Sequence, residues 1–260
     1  MEKLTINEIE QLLFQKERVE DGFLEHLKFD DRKGVQRMLQ KWEKQEQLKK
    51  QLHDHFIGMT EFERQYRAEG FQFIAGIDEA GRGPLAGPVV AGAVILPDDF
   101  YLPGLNDSKK LPEAKREEYF DVINSQSLAV GVGIVSAGEI DEINILQATK
   151  KAMLSAVTQL SISPGFILVD AVKLETPYPS EALIKGDARS ISIAAASIIA
   201  KVTRDRLMKD ISKEYPAYGF QANMGYGTAE HMKAILQHGI TPYHRKTFAP
   251  VRECIETENG

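Results

Sequence analysis

Four short, apolar, β-prone runs lie at residues 72–77, 88–96, 128–135 and 166–169, and stretches of helical pattern lie at about 112–125, 144–160, 190–213 and 228–238. Strand-length runs interleaved with helix-length ones predict an α/β domain. The first three runs follow one another closely, which predicts a meander ahead of the helices. Before Phe71 the period differs. Thr5 and Glu8 fit a capping box, and Val35, Leu39, Trp42, Leu52 and Phe56 recur at spacings suited to one helical face. A second box, Thr60 to Glu63, is expected to open a short helix that Gly70 closes. The chain is therefore expected to divide into a helical N-terminal extension, 1–70, and an α/β domain, 71–260, with a helical C-terminal part.

A length of 260 residues fits one large domain, or one domain with an appendage. No apolar run reaches the 18 or so residues of a membrane span, so no membrane partner is expected. "MEKLTINEIEQLL" lacks the basic and apolar regions of a secretory signal, and Cys254 is the single cysteine. One cysteine excludes an intramolecular disulfide and a multi-cysteine zinc site, and the expected compartment is the reducing cytoplasm. The net charge of −6 argues weakly against a nucleic-acid partner. Its distribution weakens that argument, because basic residues outnumber acidic ones from 199 onward and a local patch can bind phosphate.

The chemistry-bearing stretch is "GIDEAGRGPLAGPVV", residues 76–90. Asp78 and Glu79 end an apolar approach, and a glycine-rich turn presenting Arg82 follows. Neighbouring residues on a regular strand point to opposite faces, so the two carboxylates can serve one site only where the strand ends and the chain turns. Asp170 ends a second apolar run, "GFILVD", and Asp187 in "LIKGDARS" precedes a long apolar helix. Each acid alone reads equally as a solvated turn residue or a cap. Together they suit a cation site: clustered carboxylates repel unless a cation is present, and oxygen ligands fit Mg²⁺ or Mn²⁺. Two such ions can serve phosphodiester hydrolysis. The loop is not a Walker A loop, because no Gly-Lys-Ser/Thr follows "GRGPLAG".

"GIDEAGRGPLAGPVVAGAVIL", "NDSKKL", "LVDA", "IKGDARSISIAAASIIAKVTRD", "GYGTAEH" and "HRKTFAPV" occur here in the order seen in bacterial ribonuclease HII, which residues 71–252 resemble. Residues 1–70 resemble an extension found in only some members. The resemblance implies a ribonuclease H-like mixed sheet flanked by helices. It implies an endoribonuclease that cleaves RNA in RNA–DNA hybrids and cuts 5′ to single ribonucleotides in duplex DNA, leaving 3′-hydroxyl and 5′-phosphate ends. It places the catalytic, metal-binding carboxylates at Asp78, Glu79, Asp170 and Asp187, the Gly-Arg-Gly loop at Gly81, Arg82 and Gly83, and a sugar-contacting tyrosine at Tyr226. Mg²⁺ or Mn²⁺, as two ions, is the expected cofactor, and a monomer is expected. Ala171 and Met224 stand where many relatives carry glycine and lysine. The competing readings are a ribonuclease HIII-type enzyme and a relative that binds nucleic acid without cutting it.

Several further residues carry two readings. Ser197, Lys201 and Arg204 fall at i, i+4 and i+7, a face that meets phosphate oxygens or is merely solvated. Lys109 and Lys110 lie in a loop where the resemblance favours a backbone contact for at least one. His231 reads as core-packed or substrate-adjacent, and Asp205 as a helix-surface partner.

Overall fold

The computed structural model describes residues 4–15 and 19–258. Two units separate, one up to His55 and one from Phe56 onward. In the first, α1 (Ile6–Phe14) opens with the expected capping box: the Thr5 amide donates to Glu8 Oε2 and the Glu8 amide to Thr5 Oγ1. α2 (Asp21–Lys28) and the N-terminal part of α3 (Lys33–Met59) follow. Ile9, Leu13, Leu27, Val35 and Leu39 form the core of this unit, with Trp42 at its edge.

The second unit begins inside α3, so the division falls ahead of the boundary expected after Gly70. The reason is packing. Phe56 and Met59 sit in a core with Val94, Leu105 and Ile198. Phe62 and Tyr66 of α4 (Glu61–Ala68) pack with Ile74, Phe166 and Leu168. The expected Thr60–Glu63 box does not form: Thr60 makes no side-chain cap, and Glu63 is buried against residues far along the chain. Gly70 does close α4, at φ 96°, with the Phe71 amide donating to Tyr66 O at 3.1 Å.

The order continues β1 (Ile74–Ala80), β2 (Val89–Ile95), α5 (Glu113–Gln126), β3 (Ala129–Val135), α6 (Ala137–Thr158), β4 (Phe166–Asp170), β5 (Ser180–Leu183), α7 (Ile191–Glu214), α8 (Phe220–Asn223), α9 (Ala229–His238) and α10 (Ala249–Glu258). The sheet order is β3-β2-β1-β4-β5. The first three strands form the antiparallel meander, and β4 and β5 add in parallel. The sheet is thus mixed and helix-flanked, as expected. β5, "SEAL", lacked a β-prone signal because it is a short edge strand with mostly exposed positions.

Two cores follow from strand alternation. Ala75, Ile77, Ala91 and Ala93 face Ala148, Ala152 and Ala156 of α6. On the opposite face, α7 lies almost on the backbone. A Cβ on Gly76 would fall 2.0 Å from the Ser192 carbonyl carbon, and one on Gly92 would fall 2.5 Å from Ala196 O. Asp78 is two residues beyond Gly76 and pairs with Gly92 in the register, so its side chain meets α7. No helix of the described residues is long and apolar enough to cross a membrane.

The packing predicts where the chain can be shortened. A form starting at Phe56 should unfold in one cooperative transition near that of the full chain. A form starting at Phe71 should lose about 3 kcal/mol or more, since it strips several buried aromatic and aliphatic side chains from the core. Urea denaturation of the two forms checks this, and equal midpoints would refute it.

Candidate active site

Three strand and turn ends converge beside α7. Asp78 ends the buried part of β1, Asp170 ends β4 alongside it, and Asp187 occupies a single 3₁₀ turn, Gly186–Ala188. β1 and β4 are parallel neighbours with Ile77 opposite Val169, which carries Asp78 and Asp170 forward together. The turn is tied to β4 by the Gly186 amide, which donates to Asp170 Oδ1 at 2.6 Å. One carboxylate oxygen from each of Asp78, Asp170 and Asp187 lies within 4.8 Å of the other two. Ala171, the departure from glycine, adopts φ 51° directly after Asp170, a left-handed conformation that disfavours a Cβ.

Glu79 lies beside this group. Its Oε1 accepts from Arg82 Nη1 at 3.1 Å, and its Oε2 is buried without a hydrogen-bond partner. Asp78 is 5% exposed, and its Oδ1 accepts from the Glu79 amide at 2.7 Å. Burial, then the charges of Glu79 and Asp170, push its carboxyl well above the ordinary range, against a hydrogen bond from Ser197. Glu79 is also raised, by burial first, with Arg82 pulling it down. Asp187 is raised by burial and by Asp107 and Asp170. Lys109 faces the group: burial works against its ammonium, but Asp78, Asp107, Asp187 and Glu79 outweigh it and raise its pKa. The site thus gathers negative charge that its own cations do not balance.

The glycine loop is shaped from beneath by two buried arginines. Arg245 donates through Nε to Gly87 O at 3.1 Å, through Nη1 to Arg82 O at 2.9 Å, and through Nη2 to Gly81 O and Gly87 O. Arg204 donates to Pro88 O, Met224 O and Ala86 O at 3.0, 3.0 and 3.2 Å. Gly81, at φ 97°, has no room for a Cβ, which would fall 2.1 Å from Arg204 Nε. With the carbonyls of Gly81 and Arg82 turned down onto Arg245, the trans peptide planes turn the amides of Arg82 and Gly83 the other way. Tyr226, 48% exposed, stands over this loop: a Cβ on Gly83 would lie 3.6 Å from its Cε1.

Arg204 and Ser197 therefore do not lie on an open phosphate-facing stripe. Arg204 is 1% exposed, and Ser197 is buried with its Oγ 2.9 Å from Ser108 Oγ. Lys201 is half-buried and donates to Asp205 Oδ1 at 2.6 Å; Asp205 is itself buried and also pairs with Arg116. The stripe reading failed because α7 is enclosed on most sides, so helical spacing alone did not identify a wet face. Arg245, in "HRKTFAPV", has no distinguishing signal in the sequence: it neighbours Lys246, and its carbonyl partners lie more than 150 positions earlier.

His231 is core-packed. The Thr241 amide donates to His244 Nδ1 at 2.9 Å, so the His244 proton sits on Nε2, 3.0 Å from His231 Nε2. His231 then carries its proton on Nδ1 and donates it to Tyr226 O at 2.8 Å. The pair thereby anchors the Tyr226 backbone, and only the doubly neutral state satisfies the chain.

The comparisons agree with this architecture. The family model "Ribonuclease HII" matches residues 75–251, and "Ribonuclease HII N-terminal domain" matches residues 5–67. The chain belongs to the ribonuclease HII family. It is 57% identical over 256 residues to a ribonuclease HII of Bacillus cereus strain Q1, covering 98% of this chain and 100% of that one. Against a ribonuclease HII of Bacillus thuringiensis strain Al Hakam the identity is 56% over the same shares. Among solved structures, ribonuclease H2 from Pyrococcus horikoshii OT3 superposes with a TM-score of 0.64 at 30% identity, covering 72% of this chain and 99% of that one. A ribonuclease HIII structure shares the fold at 17% identity and a TM-score of 0.57, over 71% of this chain and 70% of that one. Family membership makes the protein a nuclease, a hydrolase of phosphodiester bonds, and decides against both the HIII-type reading and the non-cutting relative.

The raised carboxyl of Asp78 contributes stability only at acid pH and loses it as pH rises, so at neutral pH without divalent ions its charge destabilises the fold. Asp78→Asn should raise Tm in chelator by about 2–4 °C, equivalent to about 1 kcal/mol for a domain of this size. Calorimetry checks it, and an unchanged or lower Tm would count against the reading. For the histidines, burial lowers both, His244 to about 4 with His231 adding to the effect. Depressed folded values mean that their stability is present above about pH 6.5 and lost as pH falls towards 4. Between pH 7.5 and 5 wild type should lose about 1 kcal/mol more than His244→Gln. Parallel stability–pH curves would exclude this.

Proposed function

We propose that the protein hydrolyses RNA in RNA–DNA hybrids and cuts 5′ to single ribonucleotides in duplex DNA, leaving 3′-hydroxyl and 5′-phosphate ends. The observation that carries this is the convergence of Asp78, Asp170 and Asp187 within 4.8 Å, beside a loop whose backbone amides are aimed outward. Family membership supports the reaction class.

The donor set fits a divalent cation. The ligand atoms are all carboxylate oxygens, their charges are unbalanced, and the buried Glu79 Oε2 lacks a partner. Asp78, Glu79, Asp170 and Asp187 would hold Mg²⁺ or Mn²⁺, as two ions. Bound there, the ions supply activation of water and stabilisation of the leaving oxygen.

The protein's own groups do the rest. Arg82 and Gly83 present amide donors to backbone oxygens and to the 2′-hydroxyl, the group that separates RNA from DNA. The Arg82 side chain, 45% exposed beyond its pair with Glu79, reaches phosphate. Lys109 offers a second cation at the rim of the carboxylates. The Tyr226 ring, exposed above Gly83, packs on the deoxyribose that follows a ribonucleotide. One chain carries all these groups, so a monomer suffices for the reaction.

Tyr226→Ala should reduce kcat/KM on a duplex with one embedded ribonucleotide by roughly 5- to 150-fold, matching about 1–3 kcal/mol for a lost stacking contact. Its effect on a continuous hybrid should be smaller, because a 2′-hydroxyl already crowds the ring there. Wild type should leave all-DNA duplex uncut. Equal losses on both substrates would remove Tyr226 from junction reading, and cleavage of all-DNA duplex would overturn the substrate assignment.

A further inference from the structure

The N-terminal family model extends to residue 67 and the catalytic model starts at 75, so α4 lies outside the catalytic match. Its side chains nevertheless reach the segment that carries Asp187. Glu63, 1% exposed, uses Oε1 to accept from the Ser192 amide at 3.0 Å and from the hydroxyls of Ser190 and Ser192. Ser190 is the N-cap of α7, accepting from the Ile193 amide at 3.2 Å, and its own amide donates to Gly186 O at 2.9 Å. The Asp187 turn is thus closed by a residue that Glu63 holds. One turn along α4, Tyr66 donates to the carboxylate of Glu181 on β5, ahead of Asp187. The Phe62 ring lies 4.9 Å from the Arg189 guanidinium, just after Asp187. α4 therefore grips the chain on both sides of one acidic residue.

A helix cap does not require this. Ser190 already caps α7, and Glu63 adds a buried carboxylate whose Oε2 has no partner, which is costly unless it serves another end. The negative charge is favourable at the start of a 24-residue helix, so the contact is firm as well as specific.

We propose that Glu63 is a positioning residue for the catalytic centre, holding the Asp187 turn in the place from which its carboxylate ligates a divalent ion. The proposal rests on the reading of Asp187 as a metal ligand given above. Groups that orient metal-binding carboxylates typically govern affinity by about 10- to 100-fold when removed. α4 is then part of the catalytic machinery's frame.

The test uses the full chain and three variants: Glu63→Ala, Glu63→Gln and Asp187→Asn. Mn²⁺ binding is read from the electron paramagnetic resonance signal of the free ion, at a temperature well below Tm. The Mg²⁺ concentration giving half-maximal cleavage is read alongside it. Glu63→Ala should weaken Mn²⁺ binding about 10-fold and raise the Mg²⁺ requirement in step, with kcat recovered at saturating Mg²⁺. Glu63→Gln keeps one acceptor oxygen and should fall between wild type and Glu63→Ala. Wild-type affinity in a folded Glu63→Ala, with Asp187→Asn impaired, would overturn the brace alone. Wild-type affinity in Asp187→Asn would overturn the ligand reading beneath it. If neither Glu63 variant folds, Glu63 is a fold element only and the proposal falls.

Discussion

The site depends on how closely α7 approaches β1 and β2. Gly76 and Gly92 leave no side chains between strand and helix, so the helix backbone rests on the sheet. The next residue on that face of β1 is Asp78, and α7 presents Ser197 to it. A carboxylate placed there is only 5% exposed and poorly hydrated. Close packing is what makes the group anomalous, and the anomaly makes it useful: a carboxylate kept from water is costly alone and favourable beside a divalent cation.

The same enclosure explains why positive charge sits where it does. Arg204 and Arg245 are buried near the site, yet neither is paired with Asp78, Glu79, Asp170 or Asp187; both donate to backbone carbonyls. An arginine presents five donors in a rigid plane, which suits several carbonyls of one curved loop, and a lysine does not. Burial, together with the neighbouring Arg204, lowers Arg245 to about 9, so it remains a cation at neutral pH. The cluster stays short of countercharge while the glycine loop stays rigid.

Much of this was legible in the residues. The four apolar runs became β1 to β4, and Asp78, Asp170 and Asp187 converge because strand ends and a turn before a helix are places where side chains leave the pleat. What was not legible involved partners far apart in the chain. Glu63 looked like half of a capping box because Thr60 precedes it by three residues; its real partners, Ser190 and Ser192, lie more than a hundred positions on. Arg204 looked solvent-facing because the spacing Ser197, Lys201, Arg204 fits a stripe, but a stripe has meaning only when one side of the helix is wet. β5 is held by pairing with β4, without a β-prone composition of its own.

These long-range partners share a direction. Each reaches from an end of the chain towards the centre: Glu63 from before the sheet to the Asp187 turn, Arg245 from after α9 to the glycine loop, and His244 through His231 to Tyr226. Asp78, Asp187, the glycine loop and Tyr226 sit at a strand end, in a turn and on loops, where backbone is free to approach a ligand but has little to hold it in one conformation. The flanking segments supply that restraint with buried, multidentate polar groups. Such groups are costly when half satisfied, so losing one partner leaves the rest unpaired as well as loosening the loop. A loop held in this way keeps its amides aimed without a side chain at Gly81 or Gly83, which leaves the face above it open to a sugar and its phosphate.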